Sequence, residues 1–327
     1  MHSILIIEDD LKFAAIVQKL ARTKGYQSVI AATGSQGLQH ALKFLPSAII
    51  LDLTLPDMDG HQVLEQLKYN LETRHIPVHI VSGRDRDPVL LQLGAVGYLT
   101  KPATQEGLDN IFSKFESLAD SAIKYVLVVE DDSSSQLAIK KLISHKGVEI
   151  DVAENGAAAQ ERIKAQRYDC IILDLGLPDM TGFALLKLLA KTKDIVLPPV
   201  VVYTGKALSE EEYQELSAYG ASVVVKGADS PDRLLDETSL FLHSVEKDLP
   251  ANQQEMIRQL HDPDTALKSR KLLLVDDDMR NLFALSKLLE KQGLIVSVAA
   301  NGQLALDKLQ EEDDIELVLM DIMMPVL

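Results

Sequence analysis

The sequence feature that most constrains the fold is a phrase that occurs three times, at residues 49–60, 171–182 and 318–325. Each copy is a continuous run of β-favouring apolar residues that ends on an aspartate, and these aspartates are Asp52, Asp174 and Asp321. An unbroken apolar run is typical of a strand buried on both faces, as in a parallel sheet covered by helices. Because ligand sites in such sheets lie beyond the carboxyl ends of the strands, each aspartate is predicted to lie at a site.

The chain around the first copy alternates strand and helix patterns five times between residues 1 and 120. An apolar strand at residues 4–7 precedes a helix at residues 11–24, which has apolar positions at helical spacing and ends before Gly25. The alternation continues to a last helix at residues 104–119, in which Thr104 is the predicted N-cap. Regular alternation of this kind predicts an α/β fold with a doubly wound parallel sheet.

A second unit repeats the plan of the first with the same internal spacings. The acid pair lies 43 residues before the central aspartate in both units, from Asp9 to Asp52 and from Asp131 to Asp174. The next strand-end hydroxyl lies 30 residues after that aspartate in both units. Equal spacings indicate a duplicated domain. We expect the two copies to be held close together, because only residues 119–124 separate them.

The predicted organisation is two complete domains at residues 1–120 and 124–246, a polar linker at 247–270 and a truncated third domain at 271–327. The linker is rich in Pro, Asn, Gln and Asp, and a short helix is predicted within it at residues 253–260. The third domain holds the first three strands of the pattern, so we expect a sheet with an exposed edge and an uncovered apolar face. We also expect the chain to be a piece of a longer protein.

Net charge limits the partners that the chain can bind. The formal net charge is −16 and the pI is near 4.9, which opposes nonspecific binding to DNA or to anionic membranes. The sequence has no apolar run long enough to cross a bilayer and no signal segment at its start. Cys170 is the only cysteine, so no disulfide forms within the chain. These features predict a cytoplasmic protein without direct nucleic-acid contact or membrane insertion.

Glu8, Asp9 and Asp52 are predicted to converge at the carboxyl ends of the first and third strands. Three neighbouring carboxylates repel one another unless a cation is present, and oxygen ligands without histidine or thiolate suit Mg²⁺ or Mn²⁺. Lys101 adds a positive charge and Ser82 adds a hydroxyl donor at later strand ends. A metal, a lysine and a hydroxyl around a carboxylate form a phosphoryl-accepting site in which the aspartate is the nucleophile.

This set of residues resembles the receiver domain of two-component response regulators, and the resemblance covers nearly the whole chain. The matching positions in the first unit are Glu8, Asp9, Asp52, Ser82, Lys101 and Pro102. The resemblance implies a flavodoxin-like five-stranded parallel sheet of order 2-1-3-4-5, in two complete copies and a truncated third. It also implies a histidine kinase as phosphodonor to Asp52, a cis Lys101–Pro102 bond, and Tyr98 as a switching aromatic that alters the helix 4–strand 5–helix 5 face.

The second unit keeps the pattern with two departures. Its matching residues are Glu130, Asp131, Asp174, Thr204 and Lys226. Gly227 follows the lysine in place of proline, so a cis bond is not expected there. Val223 stands where the first unit has Tyr98, and a valine cannot report by burying and exposing a ring. We expect Asp174 to accept a phosphoryl group without relaying it through the usual aromatic switch.

The third unit retains three acids. Because it lacks the lysine and the hydroxyl of the pattern, it is predicted to be inactive as given. Its acids are Asp276, Asp277 and Asp321. The predicted metal-binding residues of all three units are Glu8, Asp9, Asp52, Thr54, Glu130, Asp131, Asp174, Gly176, Asp276, Asp277 and Asp321. The residues predicted to take part in phosphoryl transfer are Asp52, Ser82, Lys101, Asp174, Thr204, Lys226 and Asp321.

Two classes of function compete. The first is a multi-receiver phosphorelay protein, similar to the receiver array of a hybrid sensor histidine kinase, with a histidine kinase or a histidine phosphotransfer protein as partner. Its output would be protein contacts, including a homodimer through the helix 4–strand 5–helix 5 face. The alternative is a scaffold of non-phosphorylated pseudo-receivers. A small-molecule phosphatase is disfavoured because Thr54 stands where a second acid would be needed, so no enzyme activity beyond self-phosphorylation and autodephosphorylation is expected.

Overall fold

The computed structural model describes residues 2–85, 87–120, 123–192, 197–262, 270–312 and 314–321. Contacts divide the chain into two compact units, residues 1–257 and 258–327. The first unit contains two five-stranded sheets and the second contains one three-stranded sheet. None of the helices in the described ranges is long and apolar enough to span a bilayer.

The first domain is a five-stranded parallel sheet with helices on both faces. Its sheet order is β2-β1-β3-β4-β5, which confirms the predicted order. Its strands are β1 (Ser3–Ile7), β2 (Gln27–Ala31), β3 (Ala48–Leu51), β4 (Val78–Ser82) and β5 (Ala95–Thr100). Its helices are α1 (Leu11–Thr23), α2 (Gly34–Phe44), α3 (Gly60–Tyr69), α4 (Val89–Gln92) and α5 (Gln105–Asp120).

The second domain repeats this architecture, and its sheet has the order β7-β6-β8-β9-β10. Its strands are β6 (Lys124–Val129), β7 (Val148–Ala153), β8 (Cys170–Leu173), β9 (Val200–Thr204) and β10 (Ser222–Val225). Its helices are α6 (Ser133–Ile143), α7 (Gly156–Ala165), α8 (Gly182–Lys191), α9 (Glu210–Ala218) and α10 (Ser230–Phe241). The duplication predicted from the spacings is therefore a duplication of the whole fold.

The central strands of both sheets are buried on both faces, as the apolar runs predict. Every residue of Ala48–Leu51 and of Cys170–Leu173 is buried. In β1, Leu5 belongs to the core cluster on one face and Ile6 to the cluster on the other, because successive side chains of a strand point to opposite faces. This two-sided burial fixes the strand ends, and with them the positions of the acids that follow.

Polar side chains cap the first two helices of the first domain. Asp10 follows β1 and accepts hydrogen bonds from the backbone N–H groups of Lys12, at 2.8 Å, and Phe13. Thr33 accepts from the backbone of Gln36 in the same way at the start of α2. The connections from β1 to α1 and from β2 to α2 are therefore short, whereas longer loops follow β3 and β4 at the same edge of the sheet.

The linker between the second and third domains contains a 3₁₀ turn, Glu246–Asp248, and helix α11, Ala251–His261. The short helix predicted at residues 253–260 is therefore confirmed. The buried Gln253 side chain donates hydrogen bonds to the backbone carbonyls of Leu142, at 2.8 Å, and Ser144, at 3.3 Å. Ile257 packs against Leu235, so the first turns of α11 are fixed to the second domain.

The third domain is the first half of the same fold. Its sheet has the order β12-β11-β13. Its elements are β11 (Lys271–Val275), α12 (Met279–Lys291), β12 (Ile295–Ala299), α13 (Gly302–Glu311) and β13 (Leu317–Met320). All four residues of β13 are exposed, which confirms the predicted uncovered edge.

Candidate functional site

The first candidate site lies where β1, β3 and β5 end. Asp52 donates its backbone N–H to the carbonyl of Ile7 at 2.9 Å, so the β1–β3 ladder holds it beside Glu8. The Lys101 ammonium reaches across from the end of β5. It donates to both carboxylate oxygens of Glu8, at 2.9 and 2.8 Å, and to Asp52 Oδ2 at 2.7 Å. The structure therefore brings together the acid, the acceptor aspartate and the lysine that the sequence predicts.

Glu8, Asp9 and Asp52 also form an acidic cluster in which one carboxylate oxygen from each residue lies within 4.8 Å of the others. Glu8 is 1% exposed and Asp52 is 4% exposed, whereas Asp9 faces solvent. Burial is the largest cause of a rise in the pKa of Glu8 to about 7, which the hydrogen bond from Lys101 reduces and the nearby charge of Asp52 increases. Carboxylate oxygens are hard donors, and this cluster is open to water on the side of Asp9. The cluster therefore fits a divalent cation of the Mg²⁺ type.

The ammonium of Lys101 carries a positive charge at this site at neutral pH. Burial acts to lower its pKa, but the hydrogen bonds to Asp52 and Glu8 outweigh burial and hold the pKa above its ordinary value. The ammonium also lies 4.6 Å from the centre of the Phe13 ring, an attractive cation–π distance. A fixed cation beside the acceptor can stabilise negative charge that develops there.

The second domain repeats the lysine contacts. Lys226 Nζ donates to Glu130 Oε2 at 2.9 Å and to Asp174 Oδ2 at 2.8 Å, and the backbone N–H of Asp174 donates to the carbonyl of Val129 at 2.9 Å. Burial acts to raise the pKa of Asp174, but the hydrogen bond from Lys226 and other donors leave it below its ordinary value. The Asp174 carboxylate is therefore held ionised.

The acid cluster of the second domain is more open than that of the first. In the part of the chain that the structure describes, Glu130, Asp131 and Asp174 do not meet the 4.8 Å spacing of their counterparts. Asp131 is exposed, like its counterpart Asp9 in the first domain. The metal-binding role predicted for these residues stays a prediction.

The third domain gathers its three acids at the carboxyl edge of its sheet. One carboxylate oxygen from each of Asp276, Asp277 and Asp321 lies within 4.8 Å of the others. The Asp321 backbone N–H donates to the carbonyl of Val275 at 2.9 Å, as in the two complete domains. Residues 322–327 lie outside the described residues.

The hydroxyl residues predicted for each site lie at the end of the fourth strand. Ser82 and Thr204 are buried, and their hydroxyl oxygens accept the backbone N–H of Arg84, at 3.5 Å, and of Lys206, at 3.2 Å. The backbone N–H of Lys101 donates to the Ser82 carbonyl at 2.8 Å, which ties the ends of β4 and β5 together. Each hydroxyl therefore lies one strand away from the strand-end aspartate of its domain.

Thr54 and Gly176 contact Asp52 and Asp174 through backbone groups. Each donates its N–H to Oδ1 of the aspartate two residues earlier, at 3.2 Å in both domains. These donors stabilise the negative charge of Asp52 and Asp174. The predicted metal-binding role of Thr54 and Gly176 stays a prediction.

Tyr98 is half-buried, and its hydroxyl donates a hydrogen bond of 2.6 Å to the carbonyl of Arg84. Burial is the largest cause of a rise in the pKa of this phenol. Val223, its counterpart, packs against the core of the second domain. The Lys101–Pro102 bond is cis, as expected, and no other cis bond is recorded in the described residues, which include Lys226 and Gly227.

Sequence reasoning missed an aspartate that fixes the loop after each acceptor. Asp57 accepts hydrogen bonds from the backbone N–H groups of Gly34, at 2.8 Å, and Ser35, at 2.9 Å, at the start of α2. The hydrogen bond from Ser35 is the largest cause of a fall in the pKa of Asp57 to about 2. Asp179 makes the same contacts to α7. The repeated five-residue spacing from acceptor to aspartate was the signal that could have found them.

A second missed group lies at the mouth of the first site. Asp59 accepts from the Arg84 guanidinium at 2.8 Å and from the His61 backbone N–H at 2.9 Å. The two ring nitrogens of His61 lie 2.9 Å from Asp59 and 3.2 Å from Asp87. His61 therefore bridges two acids beside the loop that follows β4.

Comparison with known proteins assigns this geometry to a family. The family model described as Response regulator receiver domain matches residues 4–113, 126–238 and 272–327. The chain belongs to this receiver-domain family. The three matches coincide with the three sheets and with the three strand-end aspartates that follow β3, β8 and β13.

Individual relatives match one receiver domain or a little more. The Transcriptional regulatory protein KdpE of Mycobacterium tuberculosis is 32% identical over 151 residues, which are 44% of this chain and 64% of KdpE. Protein PilH of Pseudomonas aeruginosa is 33% identical over 115 residues, 33% of this chain and 92% of PilH. A CheY-like receiver domain structure from Methanospirillum hungatei is 27% identical, with a TM-score of 0.34, and the match covers 36% of this chain and 95% of that one.

The Aerobic respiration control sensor protein ArcB of Escherichia coli is 33% identical over 114 residues, 34% of this chain and 14% of ArcB. The chain thus spans less than two thirds of the length of KdpE and a small part of ArcB. Membership of the receiver family places the chain in two-component phosphorelay signalling.

Proposed function

We propose that the chain is a multi-receiver phosphorelay protein that accepts phosphoryl groups on Asp52 and Asp174 from a histidine kinase or a histidine phosphotransfer protein. The observation that carries the proposal is the contact of one lysine with both a buried glutamate and the acceptor aspartate, in the first domain and again in the second. An ion pair that only stabilises the fold needs one carboxylate for one lysine. Here two carboxylates surround one lysine, so the site has an excess of negative charge. A site that takes up a further cation and a phosphoryl group explains this arrangement better.

The proposed reaction transfers a phosphoryl group to a carboxylate. An oxygen of Asp52 attacks the phosphorus of a phosphohistidine, an O–P bond forms, the P–N bond breaks, and the histidine nitrogen keeps the electron pair and takes a proton from solvent. Lys101 and the Ser82 hydroxyl stabilise the charge on the transferred oxygens. Glu8, Asp9 and Asp52 would hold a Mg²⁺ or Mn²⁺ ion, which supplies Lewis-acid stabilisation when bound.

We propose no enzymatic turnover beyond self-phosphorylation and autodephosphorylation. Thr54, exposed two residues after the acceptor, offers no acid to protonate a leaving group. We retain the proposed domain limits of 1–120, 124–246, 247–270 and 271–327. The cytoplasmic location, the absence of nucleic-acid contact and the likeness to a hybrid kinase array stay predictions.

A scaffold of pseudo-receivers is the second candidate, and one observation favours it for the second domain. The open arrangement of Glu130, Asp131 and Asp174 offers a poorer cation site than the first domain does. Binding of Mn²⁺ to chains carrying Asp52→Asn discriminates between the two functions. Ion binding that Asp174→Asn then reduces supports an acceptor, whereas no such reduction supports a scaffold.

Labelling with radioactive acetyl phosphate and Mg²⁺ tests the proposed function. We expect label in the unaltered chain, less label in Asp52→Asn and in Asp174→Asn, and none in the double variant. Label that persists in the double variant would place the phosphoryl group elsewhere and would overturn the proposal. Asp169→Asn, an acidic residue just before β8, is a matched control that should keep full label.

A further inference from the structure

The two complete domains place an aromatic ring beside the strand-end lysine from different elements of the fold. In the first domain the Lys101 ammonium lies 4.6 Å from the centre of the Phe13 ring, which belongs to α1. Ser135 stands at the equivalent position of α6, three residues after the N-cap aspartate in both helices. In the second domain the Lys226 ammonium lies 5.3 Å from the centre of the Tyr203 ring, which belongs to β9.

The exchange between the domains is reciprocal. Val81 of β4 stands at the position of Tyr203, one residue before the strand-end hydroxyl, and it is fully buried in the core on that face of the sheet. The second domain has therefore lost the ring on its first helix and gained one on its fourth strand. An aromatic ring attracts a nearby ammonium in either case, but a tyrosine also brings a hydroxyl.

The Tyr203 hydroxyl belongs to a small buried hydrogen-bond network. It lies 3.0 Å from Oγ of Ser230, which is 4% exposed. Ser230 Oγ also accepts the backbone N–H of Gly227 at 3.0 Å and donates to the Gly227 carbonyl at 2.9 Å. Because that carbonyl can only accept, the serine proton goes to Gly227 and the tyrosine hydroxyl donates to Ser230. One donor and two lone pairs are then all in use, so the serine hydroxyl is fully satisfied.

This network fixes the backbone directly after Lys226. On the other side of the residue, the Lys226 backbone N–H donates to the carbonyl of Thr204 at 2.8 Å. In the first domain Pro102, which has no N–H to donate, follows the lysine, and the Thr104 hydroxyl accepts instead from the backbone N–H of Gly107 at 3.1 Å. The two domains therefore fix the backbone at the lysine in different ways.

We propose that Tyr203 and Ser230 are positioning residues of the second site, which hold the Lys226 ammonium where it stabilises the phosphoryl group that Asp174 accepts. The inference rests on the proposed acceptor role of Asp174. A lysine ammonium sits on a flexible four-carbon stem, so its contacts with Glu130 at 2.9 Å and Asp174 at 2.8 Å depend on a fixed backbone and a supported stem. A displacement of about 1 Å can slow a reaction about a hundredfold.

The rate at which radioactive acetyl phosphate and Mg²⁺ label Asp174 tests the proposal. The whole chain carries Asp52→Asn, so that the second site reports alone. Ser230→Ala should lower the initial rate about tenfold, because the lysine loop loses both ties. Tyr203→Phe keeps the ring and removes one hydrogen bond, so it should lower the rate about threefold. Ser230→Thr, which keeps the hydroxyl, should restore most of the rate.

A double-variant cycle separates positioning from a general effect on the fold. If Ser230 and Tyr203 act through the ammonium, then in a chain that already carries Lys226→Met neither Ser230→Ala nor Tyr203→Phe should slow labelling further. Losses that multiply in the Lys226→Met chain would show that the two residues act elsewhere and would overturn the proposal.

Matched controls and the second acceptor complete the test. Tyr213→Phe, an exposed tyrosine on α9, and Ser144→Ala, an exposed serine at the end of α6, should leave the rate unchanged. In chains that carry Asp174→Asn, the labelling of Asp52 should not respond to the variants of the second domain. Unchanged labelling of Asp174 in Tyr203→Phe and in every folded Ser230 variant overturns the positioning role alone. Absence of label on Asp174 in the unaltered second domain overturns its proposed function as well.

Discussion

Protonation of Glu8 should control divalent-ion binding at the first site. Burial raises the pKa of Glu8 from 4.5 to about 7. A folded-state pKa above the unfolded value means that the folded state keeps the proton longer. The contribution of Glu8 to stability is therefore fully present below about pH 4.5 and is lost as the pH rises to about 7, a difference of about 3 kcal/mol. A bound cation stabilises the ionised form and offsets this loss.

The magnitude follows from competition between the proton and the metal. Metal binding needs the ionised carboxylate, so below pH 7 each unit of pH should weaken apparent Mn²⁺ affinity about tenfold. Between about pH 8 and pH 6 we expect a rise of about tenfold in the apparent Kd, which corresponds to about 1.4 kcal/mol.

Electron paramagnetic resonance of free Mn²⁺ provides the assay, because it measures weak binding directly. The chain should carry Asp174→Asn and Asp321→Asn, so that the first site dominates. Added Glu8→Gln should weaken binding at pH 8 and flatten its pH dependence, while Glu65→Gln, an exposed glutamate on α3, should change neither. A Kd that stays constant between the two pH values would refute the reasoning about Glu8.

Three further perturbations have expected outcomes. Lys101→Met should slow the initial rate at which acetyl phosphate labels Asp52 about a hundredfold, because the negative charge on the transferred phosphoryl oxygens is no longer stabilised by the ammonium. An unchanged initial rate would contradict this. Arg74→Ala should lower the free energy of urea unfolding by about 3–5 kcal/mol, because it removes the ion-pair partner that Arg74 provides to the buried Asp236 carboxylate, and adding Asp236→Ala should restore part of the loss. Strictly additive losses would count against the pair. Gly60→Ala should destabilise the chain by about 1–3 kcal/mol, seen as a lower Tm, because its Cβ would meet the backbone of Asp52.

The acids of the site were predictable because they follow strands. The carboxyl ends of parallel strands lie at one edge of a sheet, so Glu8 and Asp52 were predicted to lie at the same edge once the strands were recognised. Lys101 was predictable for the same reason. The sheet order, by contrast, came from the resemblance to a family, because periodicity does not say which strands pair.

The contacts between domains were not predictable from local patterns. Arg74 and Asp236 are 162 residues apart, and neither lies in a sequence pattern that marks a partner. The burial of α10 on two sides depends on the arrangement of two folded domains, which exists only after each sheet has formed. Asp59 and His61 were missed because a polar residue in a loop has many available partners, and only the folded loop selects Arg84 and Asp87.

The central claim is that Asp52 and Asp174 carry the phosphoryl group, and chemical mapping tests it most directly. Borohydride reduces an acyl phosphate of aspartate to homoserine, which tandem mass spectrometry locates in the chain. After treatment with acetyl phosphate and Mg²⁺, homoserine at positions 52 and 174 is the predicted result. Homoserine at other aspartates, or at neither position while the chain still takes up label, would contradict the account.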